Sequence, residues 1–316
     1  MKLDSTIYIA GGETLIGAAL LRRLRGAGYC RVLGDEEACP DLHDAEAVRA
    51  FFAEHEPEFV FHAAGRVGGI QENQRHPVDL CQDNLTVTLN LLAAAQRYGV
   101  RRLLYLASAC CYPRNAPQPL AVESLWGGTL ERTNEAYAAA KLAGIALCRA
   151  YRQQFGCDFL TGICTNAFGP GDDFDPEAGH VIASLMARMH EAKETNEPAV
   201  TIWGSGRPVR EFLYVDDLAD ACLQVMKHED DAVELINLAG GASLSISQLA
   251  EQIRSVVGYA GRLKFDSSRP DGMPLKSLDG GPLAALGWRP RTEFNEALAA
   301  TYTWFLTNDR SMARVG

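Results

Sequence analysis

A short apolar run, a glycine-rich turn and a helical pattern follow one another at the start of the chain. Residues 5–10 predict a strand, residues 11–17 the turn and residues 18–24 a helix. A strand that leads into a helix through glycines is typical of a doubly wound α/β sheet, where the helix N-terminus binds the pyrophosphate of a dinucleotide. We therefore expect a dinucleotide site here. The alternative is a tight strand-to-helix turn that binds nothing.

This turn carries a threonine at its centre. The pattern is Gly11-x-x-Thr14-x-x-Gly17, and glycine is the usual middle residue. Either the side chain of Thr14 crowds the pyrophosphate or its hydroxyl bonds to it, and the sequence leaves both open. The residues predicted to bind the cofactor at the turn are Gly11, Gly12, Glu13, Thr14, Leu15, Ile16 and Gly17.

Strand and helix patterns alternate through the first part of the chain. Apolar runs at 30–33, 59–65, 103–110 and 159–164 predict strands, and a helical pattern covers about 78–98. This alternation predicts an α/β fold with a Rossmann-type, doubly wound parallel sheet. The further residues predicted to line the cofactor are Asp41, Leu42, Ala63, Ala64, Gly65, Leu106, Ala107, Asn166 and Ala167.

The regular alternation ends near residue 170, and shorter mixed strands and helices follow. At 316 residues the chain is long enough for two domains. We expect a dinucleotide-binding domain of residues 1–170 with about 200–235. We expect residues 171–199 and 236–316 to form a smaller mixed α/β domain that contributes one wall of a substrate cleft.

Charge and composition exclude several classes of protein. The chain has 30 basic and 40 acidic residues, a net charge of −10 and no run rich in Lys or Arg, which argues against nucleic acid or an anionic membrane as partner. No apolar run approaches the ~20 residues of a membrane span, and the N-terminus is expected to lead directly into a strand rather than a signal peptide. The nine scattered cysteines lack CxxC spacing, which predicts reduced thiols in the cytoplasm and no metal site.

Tyr137 and Lys141 suggest a proton relay. They lie four residues apart in an Ala-rich helical pattern, so they share one face of a helix. A phenol with a pKa of about 10 exchanges protons poorly at neutral pH, and we expect the nearby ammonium to lower that pKa. Ser108, at the end of a predicted strand, can bond to the same substrate oxygen. The alternative is a solvated surface helix, because YxxxK is common.

Acidic residues cluster where the second predicted strand ends. Asp35, Glu36 and Glu37 stand there, and Glu13 lies in the glycine turn. A carboxylate at this position accepts hydrogen bonds from the adenosine ribose, whereas a 2′-phosphate requires arginine. The sequence therefore favours NAD(H). Solvated loop carboxylates are the alternative, and Arg31 leaves NADP(H) open.

Two sets of motifs identify a known family. The general motifs are Gly11-x-x-Thr14-x-x-Gly17, Ser108, Tyr137-x-x-x-Lys141 and Asn166-Ala167-Phe168-Gly169-Pro170. They resemble an extended short-chain dehydrogenase/reductase acting on nucleotide sugars. The narrower motifs are Arg66-Val67-Gly68-Gly69-Ile70, Ser108-Ala109-Cys110-Cys111-Tyr112-Pro113, Gly128-Thr129-Leu130-Glu131-x-Thr133-Asn134-Glu135 and Ser205-Gly206-x-Pro208-x-Arg210-Glu211-Phe212. They resemble the GDP-L-fucose synthase family.

This resemblance implies a specific chemistry. Members take GDP-4-keto-6-deoxy-D-mannose, invert C3 and C5, and reduce the C4 ketone with NADPH. Cys110 and His180 match the family's acid/base pair, and Ser108, Tyr137 and Lys141 match its reducing site. The positions that match substrate-contacting residues are Arg188, Trp203, Arg210 and Asp271. Relatives commonly dimerise, so we expect a homodimer.

Each of these positions also has a simpler interpretation. Cys110 can be a packed thiol, His180 a helix cap, Arg188 a solvated helix residue and Trp203 a core residue. The family's NADP-binding arginines have no equivalent at Glu13 or at residues 35–37. Two alternatives therefore stay open. One is a nucleotide-sugar epimerase or dehydratase with tightly bound NAD and no net reduction, and the other is a non-catalytic Rossmann redox sensor or scaffold.

Overall fold

The computed structural model describes residues 1–35, 39–177, 179–228, 233–269 and 271–308. Glu36 and Glu37, which the sequence analysis assigned to cofactor selection, lie outside the described residues. The strands are β1 (Ile7–Ala10), β2 (Val32–Leu33), β3 (Phe59–His62), β4 (Arg102–Ser108), β5 (Phe159–Cys164), β6 (Asn166–Phe168), β7 (Ala199–Trp203), β8 (Val209–Tyr214), β9 (Leu235–Leu238), β10 (Ala242–Ser245), β11 (Arg262–Asp266) and β12 (Leu275–Lys276). The helices are α1 (Leu15–Gly26), α2 (Ala45–His55), α3 (Ile70–Arg75), α4 (Pro77–Arg97), α5 (Glu135–Phe155), α6 (Val181–Glu194), α7 (Val215–Lys227), α8 (Ile246–Val257), α9 (Gly281–Ala285) and α10 (Phe294–Asn308).

Six parallel strands form the central sheet in the order β2-β1-β3-β4-β5-β9. The order reverses direction beside β1, as the doubly wound fold requires, so the predicted Rossmann-type α/β sheet is confirmed. Strands β1, β3 and β5 are buried along their whole length, which explains their nearly continuous apolar sequences. Parallel strands align their carboxyl ends, so the loops after β1, β3 and β4 meet at one edge.

Helices cover both faces of this sheet. On one face, Leu20 of α1 and Leu218 of α7 belong to the same apolar core as Ile9 of β1. On the other face, buried side chains of α2, α4 and α5, such as Leu91 of α4, belong to the same apolar core as Tyr8 of β1. Burial of this apolar surface stabilises the sheet at about 25 cal/mol per Å². The sheet is therefore a rigid base for the loops at its carboxyl edge.

A second group of elements stands beyond the sheet. β8 pairs antiparallel with β10 and parallel with β6 and β12, while β7 pairs with β11. α6, α8 and α10 enclose a separate apolar core that includes Phe212, Leu249 and Phe305. β9 joins the six-stranded sheet although the sequence placed it in the second domain, and β7 joins the second group although the sequence placed it in the first. The domain boundaries stay a prediction.

Within the described ranges no helix is both long and apolar enough to cross a membrane.

Candidate active site

The glycine turn is closed by Thr14. Its hydroxyl donates to the Gly11 carbonyl at 2.7 Å and accepts from the Gly17 amide at 3.0 Å, so Thr14 is the N-cap of α1. This arrangement answers the question left by the sequence, because the threonine stabilises the turn itself. Gly11 has a φ of +83°, and a Cβ on Gly17 would lie 1.8 Å from the Gly11 oxygen. The turn therefore requires glycine at both ends.

A cleft of about 450 Å³ opens beside this turn. Six of the predicted cofactor residues line it: Gly11, Glu13, Asp41, Leu42, Ala64 and Gly65. Its wall also contains residues that the sequence analysis did not select, among them His43, Arg66 and Asp83. Gly12 lies at the turn behind this wall, where a Cβ would be 1.9 Å from the Gly34 carbonyl oxygen. The remaining predicted residues do not border the cleft: Thr14, Leu15, Ile16, Gly17, Asp35, Ala63, Leu106, Ala107, Asn166 and Ala167.

The acidic residues near the cleft are held by specific partners. Asp35 forms an ion pair with Arg25 of α1 at 2.5 Å and is largely exposed. His43 bridges Asp41 at 3.2 Å and Asp83 at 2.6 Å. The bond to Asp83 raises the pKa of His43 against the opposing effect of burial. The loop 39–43 is thereby tied to α4 on one side of the cleft.

Ser108, Tyr137 and Lys141 meet at the end of β4, as their positions in the sequence predict. Ser108 ends the strand, and Tyr137 and Lys141 lie one turn apart on α5. The Lys141 ammonium donates to the Leu106 carbonyl at 3.4 Å and lies 6.0 Å from the centre of the Tyr137 ring. Ser108 lies close enough to the Tyr137 hydroxyl to lower the pKa of that phenol by hydrogen bonding. A serine hydroxyl and a phenol therefore face one point.

The expected lowering of the Tyr137 pKa is wrong for the protein alone. Burial raises the pKa of Tyr137, and the hydrogen bond from Ser108 only partly offsets that effect. Burial also lowers the pKa of Lys141 to about 8. The physical reason is that both groups leave water, and desolvation disfavours the charged form of each more than one ammonium favours a phenolate. A neutral phenol is the form that can donate a proton.

Cys110 follows Ser108 and is surrounded by donors. Asn134 donates its amide N–H to the sulfur at 3.0 Å, and the Lys276 ammonium lies 3.5 Å from it. Burial raises the pKa of Cys110, but the charge of Lys276 and hydrogen bonds from Ser108, Lys276 and Asn134 outweigh it, so the pKa is lower than usual. Cys111 is the opposite case, because burial raises its pKa to about 12. Cys110 is therefore not an ordinary packed thiol.

His180 is directed toward a buried carboxylate. It stands at the N-cap position of α6 but makes no side-chain capping bond, and its Nδ1 lies 3.0 Å from Oδ1 of Asp172. This bond raises the pKa of His180, while burial acts in the opposite direction. Asp172 Oδ2 is also buried and makes no hydrogen bond in the described part of the chain. The interpretation of His180 as a simple helix cap is therefore not supported.

The reactive groups from three elements lie near one another. The charge of the Cys110 sulfur affects the pKa values of His180, Tyr137 and Arg210, which requires all three to be close to it. Cys110 comes from the loop after β4, Tyr137 from α5 and His180 from the start of α6. A thiol, an imidazole and a phenol therefore lie within electrostatic range of one another.

The predicted substrate residues belong to the second group of elements, and among them Arg210 lies within electrostatic range of Cys110. Arg210 on β8 donates to the Met273 carbonyl at 2.6 Å. Asp271 accepts hydrogen bonds from the amide and hydroxyl of Ser205 at 2.8 and 2.6 Å. Trp203, at the end of β7, is 51% exposed, so it is not a core residue. These contacts join the loop of Asp271 to the ends of β7 and β8.

Arg188 and Asn166 occupy supporting positions. Arg188 on α6 donates to the Thr201 carbonyl, two residues before Trp203, and its partial burial lowers its pKa. Asn166 donates to the Glu211 carbonyl at 2.8 Å at the join between β6 and β8. Ala167 is the next residue of β6 and pairs with Leu213. Arg188 and Arg210 therefore each donate to a backbone carbonyl of the second group of elements.

Sequence reasoning missed Lys276, Asn134 and Asp172. Asp172 had a detectable signal, since it lies in an acidic loop eight residues before His180. Asn134 immediately precedes the helix of Tyr137, where an asparagine is normally interpreted as a cap. Lys276 had no local signal, because it is 166 residues from Cys110 and only the pairing of β12 with β8 brings it near.

A doubly wound sheet with a glycine turn at β1 and a Ser-Tyr-Lys group at β4 defines a nucleotide-dependent enzyme of the extended short-chain dehydrogenase/reductase type. The model of the NAD dependent epimerase/dehydratase family matches residues 7–239. GDP-L-fucose synthase of Escherichia coli is 43% identical over 96% of this chain and 97% of its own. GDP-L-fucose synthase 1 of Arabidopsis thaliana is 43% identical over 96% of this chain and 94% of its own.

Solved structures agree with this likeness. A GDP-L-fucose synthetase from Naegleria fowleri bound to NADP has a TM-score of 0.88 and 30% identity, covering 98% of this chain and 96% of that one. The chain thus belongs to the NAD dependent epimerase/dehydratase family, and within it to the GDP-L-fucose synthases. It is an NAD(P)-dependent enzyme.

Proposed function

We propose that this enzyme inverts C3 and C5 of GDP-4-keto-6-deoxy-D-mannose and reduces the C4 ketone, making GDP-L-fucose or a close GDP-deoxysugar. The observation that supports the proposal is that Cys110 lies within electrostatic range of both His180 and Tyr137. Epimerisation beside a ketone needs a base on one face of the ring and an acid on the other. The relatives named as GDP-L-fucose synthases support the choice of sugar.

In the first step, the sulfur of Cys110 takes the proton from the carbon beside the ketone. The C–H bond breaks, its electron pair enters the ring carbons, and negative charge develops on the ketone oxygen. Ser108 and Tyr137 can donate hydrogen bonds to this oxygen. His180, held by Asp172 with a raised pKa, returns a proton to the opposite face. After each exchange the Cys110 thiol releases its proton to solvent and His180 takes one up from solvent, so that one exchange at C3 and one at C5 balance in protons and change configuration only.

Reduction then uses the remaining groups of the site. The nicotinamide cofactor supplies a hydride to the ketone carbon when it is bound. Tyr137 gives its phenolic proton to the ketone oxygen, and the hydrogen bond from Ser108 orients that phenol. The buried ammonium of Lys141 stabilises the phenolate that remains until the proton is replaced.

The residues of the glycine turn fit a dinucleotide. A Cβ on Gly12 or Gly17 would lie within 2 Å of a backbone oxygen, so both positions require glycine. The backbone beside the N-terminus of α1 therefore carries no side chain at these two positions. We propose that Gly11, Gly12, Glu13 and Thr14 to Gly17 hold the pyrophosphate here. We propose that Asp41, Leu42, Ala63, Ala64 and Gly65 hold the adenosine part along the cleft, and that Leu106, Ala107, Asn166 and Ala167 support the nicotinamide end.

We further propose that NAD(H) is preferred over NADP(H). Glu13, Asp41 and Asp83 all line the cleft, and their charge opposes a 2′-phosphate. Arg66 also lines it, but its guanidinium lies 2.6 Å from Glu72 and 3.5 Å from Asp79. Asp35 engages Arg25 in an ion pair, so that arginine is also neutralised. The structural relative with NADP bound shows that the family accepts the phosphorylated cofactor.

We propose that the second group of elements binds the GDP part of the substrate. Arg188 and Arg210 suit the diphosphate, because guanidinium groups bind phosphate oxygens in pairs. The exposed ring of Trp203 offers an aromatic face for the guanine or the sugar. Asp271, fixed by Ser205, can accept from a sugar or base N–H or O–H.

We also propose that the enzyme acts as a homodimer in the cytoplasm. Val78 and Leu89 on α4 are 61% and 50% exposed, so this helix presents apolar side chains that a second copy can cover. Light scattering coupled to gel filtration tests the assembly. The same measurement on Leu89→Glu is expected to show a larger monomer fraction, while monomeric wild-type protein would contradict the proposal.

A second candidate function is epimerisation without net reduction. This reaction would use tightly bound NAD, and the acidic residues of the cofactor cleft favour NAD over NADP. One experiment separates the two. Purified enzyme is incubated in deuterated buffer with GDP-4-keto-6-deoxymannose and either NADH or NADPH. The leading proposal predicts one cofactor oxidised per sugar together with deuterium at C3 and C5. Deuterium uptake with no cofactor oxidation would support the second candidate and contradict the first.

A further inference from the structure

Lys276 makes a direct contact with the proposed base. It lies on β12, opposite Arg210 of β8, and its ammonium nitrogen is 3.5 Å from the Cys110 sulfur. A lysine ammonium has three donors and no acceptor, so the sulfur must be the acceptor in this contact. A thiolate accepts hydrogen bonds and attracts a cation far better than a thiol does. The contact therefore favours the ionised form of the cysteine.

Asn134 provides a second, independent donor. As the N-cap residue of α5 it would normally accept from a helix amide, yet it makes no capping bond. Its side-chain N–H group instead points at the Cys110 sulfur, 3.0 Å away. Its own oxygen is buried and makes no hydrogen bond within the described residues. Asn134 thus makes neither a helix-capping bond nor a hydrogen bond through its side-chain oxygen within the described residues, and its side-chain N–H donates to the Cys110 sulfur.

We propose that Lys276, together with Asn134, is a positioning residue that holds Cys110 as a thiolate before substrate binds. This inference rests on the proposed role of Cys110 as the base of the epimerisation. A base must be deprotonated before it takes a proton, and an unassisted thiol in a partly buried site is protonated at neutral pH. The two donors supply the stabilisation that bulk water provides elsewhere. Lys276 acts through the sulfur rather than on the reacting carbon.

The strand that carries Lys276 is held rigidly. Glu211, buried next to Arg210, accepts from the Leu278 amide at 2.8 Å and from the Ser277 hydroxyl at 3.3 Å. The Ser277 amide donates to the Gln118 side chain at 3.1 Å. These bonds fix the backbone on the C-terminal side of Lys276. The backbone from which the Lys276 side chain reaches the sulfur is therefore held in place by the neighbouring residues.

Other charged or titratable groups lie near Cys110. The directions in which their pKa values are shifted agree with a thiolate at Cys110. These neighbours are Ser108 and Cys111 on the same segment, Tyr137 on α5, His180 before α6 and Arg210 on β8. Burial keeps Cys111 and Tyr137 neutral near pH 7 because it raises both pKa values. Arg210 adds positive charge, but its Nη1 is bound to the Val209 and Met273 carbonyls. Lys276 remains the cation in contact with the sulfur.

The test measures ionisation of Cys110 directly, in the full chain and without sugar. Iodoacetamide reacts with the thiolate, so the rate of Cys110 alkylation against pH gives its titration midpoint. Mass spectrometry follows the peptide that contains Cys110, and Cys110→Ser supplies the background from Cys111 and the other cysteines. In Lys276→Met we expect the midpoint to rise by about one pH unit or more, which is roughly tenfold slower alkylation at neutral pH.

Two variants control this measurement. Lys276→Arg keeps the cation and is expected to restore most of the wild-type midpoint. Lys264→Met makes the same change on β11 at an exposed lysine and is expected to leave the midpoint unchanged. Asn134→Ala is expected to raise the midpoint less than Lys276→Met, because it removes a neutral donor. Circular dichroism checks that each variant is folded before its midpoint is compared.

The competing role for Lys276 is a ligand of the GDP diphosphate, and calorimetry with GDP separates the two. An unchanged Cys110 midpoint in folded Lys276→Met, with or without weaker GDP binding, overturns the proposal. A raised midpoint supports it whatever happens to GDP affinity. The proposed function is tested separately by turnover of the keto sugar. A shifted midpoint in a protein that does not turn that sugar over would contradict the function and not this inference.

Discussion

Asp172 holds the imidazole of His180 through a hydrogen bond of 3.0 Å between Oδ1 and Nδ1. The carboxylate side chain is completely buried, whereas the imidazole is 42% exposed. The carboxylate thus fixes the ring through Nδ1, while the rest of the ring stays partly exposed. Because this bond raises the pKa of His180, the imidazole carries a proton at a higher pH than an ordinary histidine. That is the state required of an acid.

Replacing this carboxylate is expected to change the titration of His180. In Asp172→Asn the pKa of His180 should fall, because the largest cause that raises it is removed while the opposing effect of burial remains. We expect roughly tenfold slower epimerisation at neutral pH, since one pKa unit is a tenfold change in protonation. Proton NMR of His180, assigned with His180→Gln, measures the pKa. An unchanged pKa in the folded variant would contradict the assignment.

The same pair predicts how the stability loss depends on pH. The folded-state pKa of His180 is raised, so its contribution is fully present below the unfolded pKa of about 6.5 and disappears as pH rises through the folded value. Asp172→Asn should therefore lower the free energy of unfolding more at pH 6 than at pH 9. We expect about 1 kcal/mol of difference after discounting for the exposed ring. Urea denaturation at the two pH values measures it.

Lys141 is expected to lower the free energy of unfolding while it supports the reduction. Burial lowers its pKa to about 8, so the folded state carries an unfavourable buried charge below that pH. Lys141→Met should raise the free energy of unfolding at neutral pH by about 1–2 kcal/mol and abolish reduction. The gain should shrink as pH rises above about 8, because the wild-type lysine then loses its proton in the folded state first. Denaturation of Lys264→Met, at an exposed site, is the control.

Cofactor preference should respond to Glu13. The carboxylate lines the cleft close to the glycine turn. Glu13→Arg replaces a charge that repels a 2′-phosphate with one that attracts it, so we expect the ratio of NADH to NADPH affinity to fall about tenfold. Quenching of intrinsic fluorescence measures both dissociation constants. Glu54→Arg, on the exposed surface of α2, makes the same charge change and should leave the ratio unaltered.

Thr14 is expected to act on stability. Its hydroxyl caps α1 by accepting from the Gly17 amide, so Thr14→Ala should lower the free energy of unfolding by about 1 kcal/mol. Thr14→Ser keeps the hydroxyl and should retain most of that stability. Thermal and urea unfolding of the two variants make the comparison. Equal losses in both variants would show that the methyl group, rather than the cap, matters.

The order of elements in the first half could be predicted because it depends on local pattern. The run 159–164 was predicted as a strand and is β5, and the glycine turn leads into α1 as expected. Strands β8, β10 and β12 were not predicted. β10 and β12 are short and have no fully buried residue, whereas β8 is as long as β5 but has a burial pattern without regular alternation, so no periodicity identifies any of the three. Their tertiary pairing overrides weak local preference.

The features of the site also fall into two groups, those that local sequence predicts and those that depend on the whole fold. Ser108, Tyr137 and Lys141 carry a spacing that can be read from the sequence, and they meet where expected. The pKa of Tyr137 could not be read in that manner, because burial of the phenol depends on the whole fold. Lys276 approaches Cys110 through sheet pairing across 166 positions, a contact that no local motif contains.

Solvent-deuterium exchange tests the central claim most directly. Wild-type enzyme, Cys110→Ser and His180→Gln are each incubated with GDP-4-keto-6-deoxymannose in deuterated buffer, and NMR follows deuterium at C3 and C5. We predict that Cys110→Ser slows exchange by about two orders of magnitude or more while ketone reduction stays measurable. His180→Gln should allow exchange but block inversion. Exchange at the wild-type rate in Cys110→Ser would show that the thiol is not the base and would contradict the account.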